Sequence, residues 1–143
     1  MRIYLAGPLF SRAEKEFNEG VAKELEREGH EVFLAQRTCK GKGRKAIFEC
    51  CLKNLERSHI LVAILDGPQV DDGTAFECGY AHARGIPIIG LRTDYRRVGE
   101  HSSDLNLMLT CPPLKICRSV AEVIVTLRDE ARRYGKESEG KDH

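Results

Sequence analysis

Residues 60–65, Ile-Leu-Val-Ala-Ile-Leu, are apolar at every position, with no alternation of polar and apolar side chains. A strand points successive side chains to opposite faces, so one without a polar face is buried on both. That is the environment of a central strand in a parallel sheet with helices on each side. It excludes a sheet solvated on one face. The run ends in a turn rich in acids, Asp66-Gly67-Pro68-Gln69-Val70-Asp71-Asp72-Gly73, and enters a helical stretch, Thr74 to Arg84, with Glu77 near its start. Ligands of open α/β sheets sit beyond the carboxyl ends of the strands. This turn is therefore the first place to look for chemistry.

The rest of the chain follows the same strand–helix rhythm. Arg2 to Ala6 reads as a short buried strand stopped by Gly7-Pro8. Ser11 caps the next helix, with Glu14 completing a capping box, Phe17, Val21 and Leu25 at helical spacing, and Gly29 at its end. Glu31 to Leu34 is a second strand. Ala35 to Arg44 is expected to be a mobile loop at the same sheet edge, since loops of this length in compact domains are often functional. Its cations and the next (Arg37, Lys40, Lys42, Arg44, Lys45) fit either phosphate contact or plain solvation. A helix from Ala46 to Arg57 carries Ile47, Cys51 and Leu55 at steps of four.

Beyond the third helix, Ile86 to Leu91 is a fourth strand, with Pro87 near its start where a missing donor is tolerated. Arg92 to Asp104 is polar, Leu105 to Leu109 forms a helical turn or two, and Leu114 to Cys117 is a fifth, edge strand. Ser119 caps a last helix with Val120, Val123, Ile124, Leu127 and Ala131 on one face. This alternation predicts an α/β fold, a doubly wound parallel five-stranded sheet in three layers. Residues 1–134 form one domain, and 135–143 a charged tail expected to be disordered.

The balance of 23 basic against 22 acidic residues gives no pull toward a nucleic-acid polymer or an anionic membrane. No run approaches the roughly 20 apolar residues of a membrane span, and the opening reads as a strand, not a signal peptide. Six cysteines occur without a CxxC pair or the spacing of a zinc site. Reduced thiols in a cytoplasmic protein, with no metal, are the expectation. The first strand lacks a GxGxxG, and no P-loop or Ser-centred elbow is present. The reactive types on offer are carboxylates and a phenol.

Carboxylates beside a phenol suit attack at an anomeric carbon, through an oxocarbenium-like transition state to a glycosyl ester. Glu77 stands near a helix start, where the dipole favours its ionised form. From position alone it is equally a first-turn charge satisfying free amides.

Three segments carry a resemblance: Tyr4-Leu5-Ala6-Gly7-Pro8-Leu9-Phe10, Asp71-Asp72-Gly73-Thr74-Ala75-Phe76-Glu77-Cys78-Gly79-Tyr80-Ala81, and Asn106-Leu107-Met108. Together, over about residues 1 to 125, they resemble the nucleoside 2-deoxyribosyltransferase family. The resemblance implies a flavodoxin-like fold, ping-pong transfer of 2-deoxyribose between nucleobases with retention, and no cofactor. Deoxynucleosides and free bases are the implied substrates. Glu77 matches the family's nucleophile, Tyr4 the tyrosine that positions it, and Asp71 the aspartate on the sugar. Asn106 and Met108 match a pair that reaches into a neighbouring subunit's site, which implies a homo-oligomer. Phe10 matches an aromatic near the base, and Gln36 lies where a base-contacting glutamine comes. Gly7, Asp66, Asp72 and Gly73 are the further substrate-side candidates. Ordinary core is the other reading of Phe10 and Met108.

One departure matters. A second family aspartate, which helps handle the base's proton, falls here on Cys51, and a thiol with an ordinary pKa of about 8.5 is a poorer acid. Asp66, Asp72 or Glu49 substitutes for it, or base protonation works differently. Two rival readings stand beside the transferase. One is a 2-deoxynucleoside 5-monophosphate N-glycosidase; the other is a non-catalytic nucleotide-binding module. An aspartate where phosphate would lie disfavours the first, since two like charges 4 Å apart cost about 4 kcal/mol at a protein's effective dielectric.

Overall fold

The structure, a computed structural model, describes residues 1–96 and 105–139. Five strands form along the apolar runs of the chain, three of them opening on a charged residue: β1 (Arg2–Ala6), β2 (Glu31–Leu34), β3 (Ile60–Ile64), β4 (Ile88–Leu91) and β5 (Lys115–Cys117). The helices are α1 (Arg12–Arg27), α2 (Ala35–Thr38), α3 (Arg44–Glu56), α4 (Asp72–Ala83), α5 (Leu107–Thr110) and α6 (Val120–Glu139). All four pairings are parallel, in the order β2-β1-β3-β4-β5. This is the expected three-layer fold. The chain order reverses between β1 and β3, so a crevice opens there at the carboxyl ends of the strands.

Every residue of β3 is buried, and its side chains divide between two cores. Ile60, Val62 and Ile64 pack with Val21 and Leu25 of α1 and Val123 and Leu127 of α6. Leu61 and Ala63 pack with Leu55 of α3 and Cys78 and Ala81 of α4. Each large apolar side chain so buried contributes about 1.5–3 kcal/mol. No described helix is long and apolar enough to cross a membrane.

The capping box at α1 forms as read: Glu14 N–H donates to Ser11 Oγ, and Ser11 N–H donates to Glu14 Oε2 at 2.7 Å. Val21 and Leu25 of α1 are buried as expected, together with Ala22, but Asn18 and not Phe17 begins the buried stripe, and Phe17 is partly exposed. Asn18 fills that place because its amide has two acceptors there, Pro8 O at 2.8 Å and Gln36 Oε1 at 3.1 Å.

The expected mobile loop after β2 begins instead with the single turn of α2. Arg37 fastens it to α1 by pairing with Glu19 at 2.6 Å and Glu26 at 2.5 Å. Those two carboxylates engage one cation of the basic segment that phosphate contact would have used. At the other end of the chain, α6 continues through Gly135 to Glu139, because lysine and glutamate propagate a helix already started. Residues 140–143 of the charged tail, and 97–104 of the polar segment after β4, lie outside the described residues.

Candidate active site

Two motifs far apart in sequence meet at the reversal of strand order. Tyr4 is in β1 and is 1% exposed, its ring packed on Phe33 of β2 with centroids 4.9 Å apart. Its hydroxyl donates to Glu77 Oε1 across 2.7 Å. Glu77 reaches it because α4 begins at Asp72, two residues before the expected start, which places Glu77 in the second turn. Asp71 sets that start as the N-cap, its Oδ2 accepting from Thr74 N at 2.9 Å and Thr74 Oγ1 at 3.0 Å. Gly73 leaves Asp71 this room, since a Cβ there would lie 3.3 Å from Asp71 Oδ2. A half-buried carboxylate so held is no helix-end charge satisfying free amides; Asp71 already does that.

Burial lifts the Glu77 carboxyl to about 7, against the lowering effect of the Tyr4 hydrogen bond and with a further push from the Asp71 charge. Burial and the adjoining Glu77 charge also raise the Tyr4 phenol, so it stays a hydrogen-bond donor across the working pH range. One oxygen of Glu77 is fixed by Tyr4. The carboxylate is half-buried and, near neutral pH, poised between its two protonation states.

Cys51 packs against the cluster that contains Tyr4, and the charge of Glu77 reaches it. Its thiol is pushed up mainly by burial, so it is a neutral group beside Glu77, not a second carboxylate.

The other candidates divide. Gly7 lies at the carboxyl end of β1 with no space for a side chain; a Cβ would meet Ile64 at 3.1 Å and Asn18 Oδ1 at 3.2 Å. Asp66 is turned to the neighbouring loop, where Oδ1 accepts from the amides of Thr93 and Asp94 and Oδ2 from Thr93 Oγ1. Gln36 spends its amide within the chain, Nε2 donating to Lys15 O at 2.9 Å and Oε1 accepting from Asn18. It still lines a cavity of about 390 Å³ with Leu9, Cys39 and Ile47. Asp72 is exposed in the first turn of α4. Phe10 is 77% exposed and Met108 71%, so neither is core. Asn106 caps α5 through Oδ1 to Met108 N at 2.9 Å.

One supporting residue, Asn18, escaped the sequence reading, and a second, Arg92, was placed by it only in the polar segment that leaves β4. Asn18 was detectable in principle, because it shares the helical face of Val21, Ala22 and Leu25. Arg92 directly follows an all-apolar strand and is fully buried. Its guanidinium donates to Leu65 O at 2.5 Å, Gly67 O at 3.1 Å and Arg96 O at 2.9 Å. It thereby holds the turn that leads to Asp71. Gly67 sits in that turn at φ +111°, a conformation that favours glycine.

Known proteins share this fold. The sequence model of the nucleoside 2-deoxyribosyltransferase family matches residues 3–110. No curated protein matches the sequence. Among solved structures, a conserved protein from Enterococcus faecalis V583 is 28% identical, with a TM-score of 0.76 over 90% of this chain and 98% of that one. A 2-deoxyribosyltransferase from Bacillus psychrosaccharolyticus is 24% identical, with a TM-score of 0.71 over 87% and 90%. A CMP N-glycosidase from Clostridium botulinum is 22% identical, with a TM-score of 0.62 over 90% and 98%. At 24% and 22% identity the likeness speaks to the fold.

Proposed function

The chain belongs to the nucleoside 2-deoxyribosyltransferase family, and we propose that it transfers 2-deoxyribose from one nucleobase to another through an ester on Glu77. The hydrogen bond from Tyr4 to Glu77 carries this reading, because it orients a buried carboxylate and leaves its second oxygen to attack. In the first half-reaction that oxygen bonds to C1 of the sugar and the glycosidic C–N bond breaks. The bonding pair goes to the base nitrogen, which takes up a proton. In the second, a nitrogen of the incoming base attacks C1 from the vacated face, loses its proton, and the carboxylate leaves. Two inversions give retention. Asp71 keeps Oδ1 for a sugar hydroxyl while Oδ2 caps the helix.

The helix ends bordering the nucleophile favour a free 5-hydroxyl over a phosphate. At α1 the amides of Phe10 and Ser11 donate to Glu14, and at α4 the amide of Thr74, in the first turn, donates to Asp71. An anion there would meet a carboxylate at each helix start. A second reading, hydrolysis of a deoxynucleoside 5-monophosphate, rests on α3. Its Gly43 cap provides no side chain, and its first turn has Arg44 and Lys45 but no acid.

Incubation with deoxyinosine and free adenine separates these readings. We expect deoxyadenosine to form. Free hypoxanthine without a new nucleoside, or turnover confined to monophosphates, would favour the glycosidase. Inertness toward nucleosides and monophosphates alike would leave a binding module.

We further infer that the active species is a homo-oligomer in which Asn106 and Met108 complete a neighbour's site. Exposed apolar side chains support this: Leu107 and Met108 on α5, and Phe48 and Phe76 on α3 and α4 with rings 6.2 Å apart. Sedimentation at micromolar concentration is expected to give a dimer or larger, and Phe76→Glu to shift it toward monomer. A fully active wild-type monomer would overturn this.

A further inference from the structure

Three of the six cysteines, Cys39, Cys50 and Cys51, lie close together, the first of them lining the 390 Å³ cavity, and the proposed transfer reaction uses none of their sulfurs as a reacting group. Cys39 ends α2 and lines the cavity beside Leu9, Gln36 and Ile47. Its Sγ donates to Cys50 Sγ, one helix away on α3, across 2.8 Å. Cys51 follows Cys50 and packs toward Tyr4. Between the paired thiols runs Lys40-Gly41-Lys42-Gly43-Arg44-Lys45, all of it exposed, with Gly41 at φ +78°.

The environments of the two thiols differ in a way that gives each a part. Cys39 is 4% exposed and its thiol is pushed up by burial, so it is protected from direct attack by a solute. Cys50 is half-buried and more open to one. Oxidation falls first on the accessible thiolate, and a second thiol already in contact resolves it faster than a dissolved one reaches it. Asn54 Nδ2 donates to Cys50 O at 2.8 Å and approaches its Sγ at 3.8 Å, so a polar hydrogen lies beside the sulfur.

We propose that Cys39 and Cys50 form a reversible dithiol–disulfide site that closes the 40–49 segment as a loop over the cavity wall. With hydrogen peroxide as oxidant, the Cys50 thiolate attacks one peroxide oxygen, the O–O bond breaks, and hydroxide leaves as water after taking a proton. The resulting sulfenic sulfur is attacked by Cys39. The S–S bond forms, the S–O bond breaks, and hydroxide again leaves as water with the Cys39 proton. Two thiols and one peroxide thus give one disulfide and two waters. A dithiol reductant reverses it by exchange through a mixed disulfide. The cross-link joins the end of α2 to the middle of α3, so the basic segment can open only with both ends tethered.

The test uses the full-length reduced protein and hydrogen peroxide, and reads no enzyme activity, so its outcome is independent of the transferase assignment. After treatment, free thiols are alkylated and the protein is digested without reduction. The expected product is one linked pair of peptides, containing Cys39 and Cys50, with four thiols still alkylated out of six. The pair is expected to survive Cys51→Ser, to vanish in Cys50→Ser, and to disappear on adding dithiothreitol. In the linked protein, tryptic cleavage after Lys40, Lys42, Arg44 and Lys45 should slow at least threefold, because cutting requires local opening. A link to Cys51 that persists in Cys50→Ser would overturn the assignment. Six alkylated thiols, or sulfinic acid with no link, would overturn the site altogether.

Discussion

Glu77→Gln is expected to abolish base exchange and, at the same time, to make the protein more stable at alkaline pH. The amide keeps the shape and still accepts from Tyr4, but it has no anion to attack C1. Loss of a covalent nucleophile should lower exchange by at least about 10³-fold. The stability gain follows from burial. The carboxyl titrates near 7 in the fold against an ordinary 4.5, so the fold favours its protonated form. That contribution is full below about pH 4.5 and is lost as pH rises through 7. At pH 8 the ionised group then costs on the order of 3 kcal/mol, which the neutral amide removes. The thermal midpoint of Glu77→Gln should exceed wild type by several degrees at pH 8 and match it at pH 4.5. An equal gain at both pH values would show that burial of the charge is not its source, and a variant that still exchanges bases would sink the nucleophile. The same titration requires wild-type kcat/KM to fall about tenfold per pH unit below 7, where attack loses its anion.

Arg92→Met is expected to be the most damaging substitution outside the nucleophile. Methionine fills much of the volume but leaves the carbonyls of Leu65, Gly67 and Arg96 without their donor. An orphaned buried acceptor costs about 1–3 kcal/mol. Removing a buried unpaired charge offsets part of this, for a net loss of about 3 kcal/mol in chemical denaturation. The turn held by Arg92 leads to Asp71, so the variant should also lose about tenfold in kcat/KM at a temperature where it is still folded. Arg92→Lys, which restores a charge but not the three-way fork, should recover less than half of the lost stability. Full recovery by lysine would mean that charge, not geometry, holds the turn.

The elements legible from sequence were those with a local physical signature. β3 lacks a polar face, and the Ser11–Glu14 box is written within four residues. α2 was not legible, because one turn of helix has no period to detect, and what fixes it is Arg37 reaching two acids on α1. The site was legible unevenly. Tyr4 and Glu77 came from matched motifs; no spacing rule brings residues 73 apart to 2.7 Å. Asp66 and Gln36 bear polar groups that suit a ligand equally well, and only the fold shows both turned to partners within the chain. Asn18 was hidden because Phe17 beside it is apolar and an amide is not, and a buried amide is visible only once its acceptors are in place.

The self-capped starts of α1 and α4 also bear on how such a fold changes its clientele. Each helix end is stoppered by a carboxylate of its own chain, Glu14 in one case and Asp71 in the other. Admitting a phosphorylated substrate at this edge is therefore a matter of removal before addition: a new lysine or arginine alone would first neutralise an acid already in residence. Asp71 cannot be given up freely, since the same side chain starts the helix that carries Glu77. Glu14 also closes the capping box of α1, but that helix does not carry Glu77, and Glu14 is the stopper that evolution, or an engineer, would draw first.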